Sequence, residues 1–180
     1  VLNEKPRKWN SHIVNRKMLG HIVGTGILFF VLLAGLWQLL WHKDITCVAD
    51  LLNLDSLTLF FTGFFDLTHS KAHMDGKELG IFFSIFVMLQ FWNIFNAKNY
   101  RTENSFFLTL FSKNSFSWGF YMIVLVILGG QYLIVNHLGR FFDVAPLSAG
   151  DWWRIAAVTS FVLILPEIVR IIRSLLKNNS

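Results

Sequence analysis

Apolar residues in this chain fall into long runs separated by short polar segments, not into the alternating or every-third-residue patterns of a soluble domain. A helix rising about 1.5 Å per residue needs roughly 20 apolar residues to cross a hydrocarbon core about 30 Å thick. Met18 to Trp41 (MLGHIVGTGILFFVLLAGLWQLLW) meets that length without Asp, Glu, Lys or Arg. Leu79 to Asn96 (LGIFFSIFVMLQFWNIFN) and Ser117 to Asn136 (SWGFYMIVLVILGGQYLIVN) are equally free of the residues that are costly at a bilayer centre. A fourth run, Trp152 to about Ile172, carries Arg154 at one end and Pro166, Glu167 and Arg170 towards the other. Long arginines can snorkel, and a proline is tolerated where a neighbouring helix satisfies the carbonyl it frees. The pattern predicts an all-α membrane protein with four transmembrane helices, at 18–42, 79–96, 117–137 and 152–174. They would be joined by a link at 1–17, loops at 43–78, 97–116 and 138–151, and a tail at 175–180.

Leu51 to Leu67 is also apolar, but Asp55 interrupts it and the remaining run is too short to span. Charge placement decides the same way. With four spans, Lys5, Arg7, Lys8, Arg16, Lys17, Lys98, Arg101, Lys113, Arg170, Arg173 and Lys177 fall on one side, and only Lys43, Lys71, Lys77 and Arg140 on the other. A fifth span would even the two sides out and erase the bias that orients membrane proteins. Both termini are therefore expected in the cytoplasm, with 43–78 an outside loop whose Phe-rich middle lies in the interface or packs on the bundle. Trp37, Trp41, Trp118, Trp152 and Trp153 fall at span ends, where aromatic belts form.

Composition agrees with this class: of 180 residues, 54% are hydrophobic and only 15% charged, too few to cover a soluble globule of that size. The net charge of +5 sits between the apolar runs as a topology signal, so nucleic acid is not an expected partner. Cys47 is the single cysteine, which excludes an intrachain disulfide framework and a thiolate cluster. The chain opens on Val with no leader pattern, and it is expected to be a piece of something longer. No phosphate loop, nucleophile elbow or HExxH is present. His69 and His73 are four apart and could share a helical face, although loop histidines are more often solvated than metal-bound. No catalytic residue is expected within the chain itself.

The informative polar residues are in the second span, where Gln90, Asn93 and Asn96 follow one another at about 60° steps and form a slanted stripe that avoids lipid. A neutral amide oxygen there suits either a hard cation or a hydrogen bond to another helix. In the first span, Gly20 and Gly24 form a small-xxx-small pattern that lets a helix backbone approach closely.

These residues carry a resemblance. Phe86-Val-Met-Leu-Gln-Phe-Trp-Asn-Ile-Phe-Asn-Ala-Lys98 resembles the eighth transmembrane helix of plasma-membrane-type P-type calcium ATPases, with its FVxxQxFNxxNxR/K pattern. Leu2 to Lys8 with Ile13, Val14 and Met18 is similar to their link between helices six and seven, and Asp151 to Arg173 to their tenth helix. The long Phe-rich loop departs from the family pattern. The resemblance implies that the four spans are helices seven to ten of a ten-helix membrane domain. The implied partners are the remaining membrane helices and cytoplasmic domains of the same pump, with the lipid bilayer around them. Calcium would be the transported ion, with Mg and ATP handled by domains outside this chain, in a plasma or inner membrane. It further implies that Gln90, with Asn93, lies near the ion site as a metal ligand, the position at which two-ion pumps carry glutamate. Gly20 and Gly24, with Asn96, would be helix-packing positions. A P-type pump for another cation and a four-span scaffold without transport activity are the alternatives.

Overall fold

A computed structural model describes residues 16–63, 68, 71–99 and 118–164. The 1–15 link, His69, most of the 97–116 loop, the 165–174 part of the fourth run and the tail lie outside the described residues. All regular structure among the described residues is helical. Three long helices form the frame: α1 (Arg16–His42), α4 (Gly76–Asn99) and α5 (Trp118–Asn136). Between α1 and α4 lie two short helices, α2 (Val48–Leu51) and α3 (Leu54–Thr62), and after α5 come α6 (Gly139–Phe142) and α7 (Ala149–Thr159). Helix resumes at 161–164 after a turn at Ser160.

Met18–His42, Gly76–Lys98 and Trp118–Asn136 are each long and apolar enough to cross a membrane. The helix at α7 is described over too few residues to be judged on length. α3, at nine residues, is far too short to cross, and among the described residues no helix lying within the 43–78 loop has spanning length. Of the two histidines four apart, His73 lies in a bend and is exposed, and His69 is outside the described residues.

α4 is the hub, with 44% of its apolar stretch buried against 17% for α1 and 11% for α5. It packs against α1, α5 and α7, and its Ile81, Met88, Leu89, Phe91 and Phe95 are buried. The low enclosure of α1 and α5 leaves Ile22, Val23, Ile27 and Phe30 of α1 and Ile123, Leu125 and Val126 of α5 exposed. In hydrocarbon such side chains carry no penalty, because lipid tails are as apolar as leucine.

Polar side chains bind α4 to its neighbours where no water can compete. Trp92 Nε1 donates to Thr159 Oγ1 of α7 at 2.9 Å, and Gln131 Nε2 of α5 donates to Ser84 Oγ at 3.2 Å. Asn96 Nδ2 donates to the Val162 carbonyl at 2.8 Å. That carbonyl is a special one. In an α-helix it would accept from the N–H four residues on, which here is Pro166, and proline has none. At the same end of the bundle the Lys98 ammonium lies 4.2 Å from the centre of the Phe120 ring and 5.0 Å from that of Tyr121, a cation–π arrangement with α5.

Candidate functional site

Two polar regions stand out, one at each end of the bundle. At the end holding Met18 and Ala97, α1 and α4 diverge and leave a groove of about 420 Å³. Met18, His21, Ile22, Thr25, Gly26, Phe29, Phe30 and Leu33 line it from α1, and Gln90, Asn93 and Ala97 from α4. Gln90 is exposed to the groove, while Asn93, His21 and Thr25 are half-buried. The groove is open on one side, so among the described residues Gln90 faces space.

The stripe of three amides expected from helical spacing is divided by the packing. Gln90 and Asn93 stay together on the groove, but Asn96 turns towards the last helix and its amide is engaged by Val162. The division follows from the 60° step: by the third residue the stripe has rotated about 120°, enough to pass from one neighbouring helix to the next. Gly20 and Gly24 are also separate from the groove. Helical geometry puts them about 150° to 170° round α1 from the middle of its groove-lining face, and a Cβ at either position would meet nothing within 4 Å. Any close helix partner for these glycines therefore lies outside the described residues.

Among the described residues the groove can offer side-chain oxygen atoms from Gln90, Asn93 and Thr25 but no carboxylate. Hard divalent cations take six to eight oxygens and draw much of their binding energy from charge. Among the described residues, no group of three or more His, Cys, Asp or Glu could hold a metal ion. A cation at Gln90 would have to be completed by ligands from other helices.

Sequence reasoning missed the second region, which ties together the opposite ends of α1 and α4 and the start of α7. Glu78, 2% exposed, accepts from the Ile45 N–H at 2.8 Å and the Asp75 N–H at 3.1 Å, and pairs with the Lys71 ammonium at 2.5 Å. Lys71 also donates to the Lys43 carbonyl at 2.7 Å and pairs with Asp44 at 2.9 Å. Burial works against its ammonium, but hydrogen bonds and charge from Glu78 and Asp44 outweigh that and hold its pKa above the ordinary lysine value. Asp151, 1% exposed, accepts from the Val48 N–H at 3.0 Å and from Ser148 Oγ at 2.7 Å, while Ser148 caps α7 by accepting from the Asp151 N–H. Burial raises the Asp151 pKa, and the bonds from Ser148 and Val48, with the charge of Lys77, more than reverse it, leaving it below the usual carboxylate value. Asp50 is held low chiefly by the Cys47 N–H and the Thr46 hydroxyl. The signal available in the sequence was Ser148 followed three residues later by Asp151, a capping pattern. Nothing comparable announced Glu78, whose partners come from more than thirty residues away in one case.

Comparison with known proteins gives a family. The model for the C-terminus of cation transporting ATPases matches residues 1–172. Plasma membrane calcium-transporting ATPase 3 of Homo sapiens is 36% identical over 158 residues, covering 84% of this chain and 11% of the human protein. The Rattus norvegicus protein of the same name is 36% identical over the same length, covering 84% of this chain and 10% of its own. The chain thus spans about a tenth of the length of these curated relatives. No solved structure matches it.

Proposed function

The chain belongs to the family of cation-transporting ATPase C-termini, and from that membership we propose that it supplies the last four membrane helices of an ATP-driven calcium pump. α1, α4, α5 and the helix that begins with α7 are then helices seven to ten of a ten-helix membrane domain in a plasma membrane, with both termini cytoplasmic. The other helices and the cytoplasmic domains of the same protein are its partners. ATP and Mg belong to those domains. The choice of calcium rests on the two relatives, whose names carry that ion.

The observation that carries the site reading is the open groove with Gln90 and Asn93 on one wall and Thr25 and His21 on the other. Polar amides facing outwards from a membrane bundle are costly against lipid and fitting against further helices. In the proposed pump the groove faces the ion-binding helices, and Gln90 contributes a neutral oxygen at the edge of the ion site. Asn93 supports it, and Gly20 and Gly24 form a second close contact on the far side of α1.

Gln90→Ala and Gln90→Glu in the full-length protein test this. Removing one neutral ligand should weaken apparent calcium affinity by about tenfold at most, or 1 to 2 kcal/mol. A carboxylate at that depth takes up a proton unless a cation is near, so Gln90→Glu should make calcium affinity depend more strongly on pH. If both variants keep the parent affinity, pH profile and turnover and lose only stability, Gln90 is a packing amide. If another cation but not calcium stimulates ATP hydrolysis in the parent, the pump reading stands and its ion changes.

A further inference from the structure

α3 has three faces. At about 100° per residue, Ser56, Leu59, Phe60 and Gly63 share one face, Asp55, Thr58 and Thr62 a second, and Leu54, Leu57 and Phe61 a third. The first face packs inwards: Ser56 is fully buried and Phe60 is half-buried against the core. The third is exposed although wholly apolar, with Leu54 80%, Leu57 44% and Phe61 71% accessible. Three large apolar side chains side by side on a nine-residue helix are not scattered surface residues but a patch that calls for an occupant.

Two contacts fix the level at which α3 docks. Near its start, Ser56 Oγ accepts from the Lys43 ammonium at 2.8 Å, at the very end of α1. Near its finish, the Phe60 ring covers Gly35 so closely that a Cβ there would lie 2.5 Å from Phe60 Cζ. Gly35 is seven residues before the last residue of α1, so the Phe60 contact lies about 10 Å along the span from its end. It is also below Trp37 and Trp41, the aromatic pair that marks the water boundary of that span. α3 therefore runs back down α1 towards the bilayer. Its hydroxyls suit that descent: Thr58 Oγ1 donates to the Asp55 carbonyl and Thr62 Oγ1 to the Thr58 carbonyl, each at 2.9 Å, so neither needs water.

We propose that α3 is a membrane-inserted wedge, docked on α1 through Phe60 and Gly35, whose Leu54, Leu57 and Phe61 face takes the acyl chains of the adjoining leaflet. Its contact on Gly35 lies about 10 Å inside the end of the span, at acyl-chain depth, where an outward apolar face meets hydrocarbon, which is why lipid rather than a soluble partner protein is its occupant. Asp55, at the shallow end, stays at the headgroup level, and Phe61, near the deep end, lies among acyl chains.

The test uses the full-length protein in phosphatidylcholine vesicles, with every native cysteine replaced, Cys47 included, and a bimane probe on one introduced cysteine at a time. Leu54→Cys, Leu57→Cys and Phe61→Cys sample the apolar face, and Asp55→Cys is the aqueous control. With lipid brominated along its acyl chains, probes at 57 and 61 should lose most of their fluorescence, the probe at 54 less, and the probe at 55 little. Aqueous iodide should give the opposite order. Iodide quenching at 57 and 61 equal to that at 55 would overturn the proposal, since the face would then be in water. Resistance of 54, 57 and 61 to both quenchers would also overturn it, because another part of the protein would cover the face. All four positions are exposed, so a probe that abolishes folding at one leaves the remaining three to decide.

Discussion

Asn96 and Pro166 should be energetically coupled, although they are 70 residues apart in the numbering. Replacing Asn96 with Leu keeps its size and removes the amide that reaches the Val162 carbonyl at 2.8 Å. Because Pro166 cannot return an N–H to that carbonyl, the oxygen is left without its helical partner in a medium of low polarity. A hydrogen bond between membrane helices contributes on average about 0.6 kcal/mol and at most about 1.7, whereas stranding a buried acceptor costs about 1 to 3. Asn96→Leu should therefore cost about 1 to 3 kcal/mol with Pro166 in place. In the helix expected over 152–174, a Pro166→Ala background lets the chain close its own bond to Val162, and the same change should fall to roughly 0.5 kcal/mol. The coupling of about 0.5 to 2.5 kcal/mol can be read from a double-mutant cycle on unfolding in mixed micelles of graded denaturing detergent. An equal cost in both backgrounds would refute the reasoning: Asn96 would then be one polar contact among several, with no bearing on the proline.

Gly35→Ala should destabilise by up to about 2 kcal/mol, the overpacking cost of 1 to 3 less about 1 of helix propensity, and Phe60→Leu should relieve it; thermal inactivation of single and double variants checks this. Gly24→Leu should also lower stability in the full-length protein, yet no substitution among the described residues should rescue it, because none of them lies within 4 Å of that position. Asp151→Asn should cost about 1.5 to 3 kcal/mol at neutral pH through its weakened bonds to Val48 and Ser148. Since the folded pKa of Asp151 lies below its unfolded value near 3.9, its contribution is complete above that pH and is lost as pH falls through the folded value, so acid melting should be shallower in the variant. Lys71, whose folded pKa is raised, contributes fully below the ordinary lysine value near 10.4 and loses that contribution only as pH rises past it. Cys47, half-buried beyond the end of α1, should react with an impermeant thiol reagent from outside intact cells, and a cysteine at Asn104 should not; the reverse result would invert the proposed topology.

The sequence by itself determined the class of the molecule and the existence of its long helices. Unbroken apolar runs such as 18–41 and 117–136 have one low-energy form in a bilayer, since only a helix satisfies every backbone N–H and C=O within its own segment. It also argued against a span at 51–67, because Asp55 alone shortens the run below a bilayer's thickness. The family was legible for a related reason, since the amide pattern at 90, 93 and 96 is specific enough to survive without any structure.

Which neighbour each amide meets was left to tertiary structure. Helical periodicity gives angles about one axis, but the positions of surrounding helices decide that Gln90 and Asn93 face an open groove while Asn96 serves Val162. The buried charges at the other end were equally hidden. Glu78 and Asp151 read as ordinary loop and capping residues until folding brings Ile45 and Val48, respectively 33 and 103 positions away, to donate to them. A local pattern can announce a cap or a span, because those are made by neighbours in sequence. It cannot announce a partner that loop closure delivers from another helix, and in this protein such partners hold α1, α4 and α7 together at one end and leave the groove open at the other.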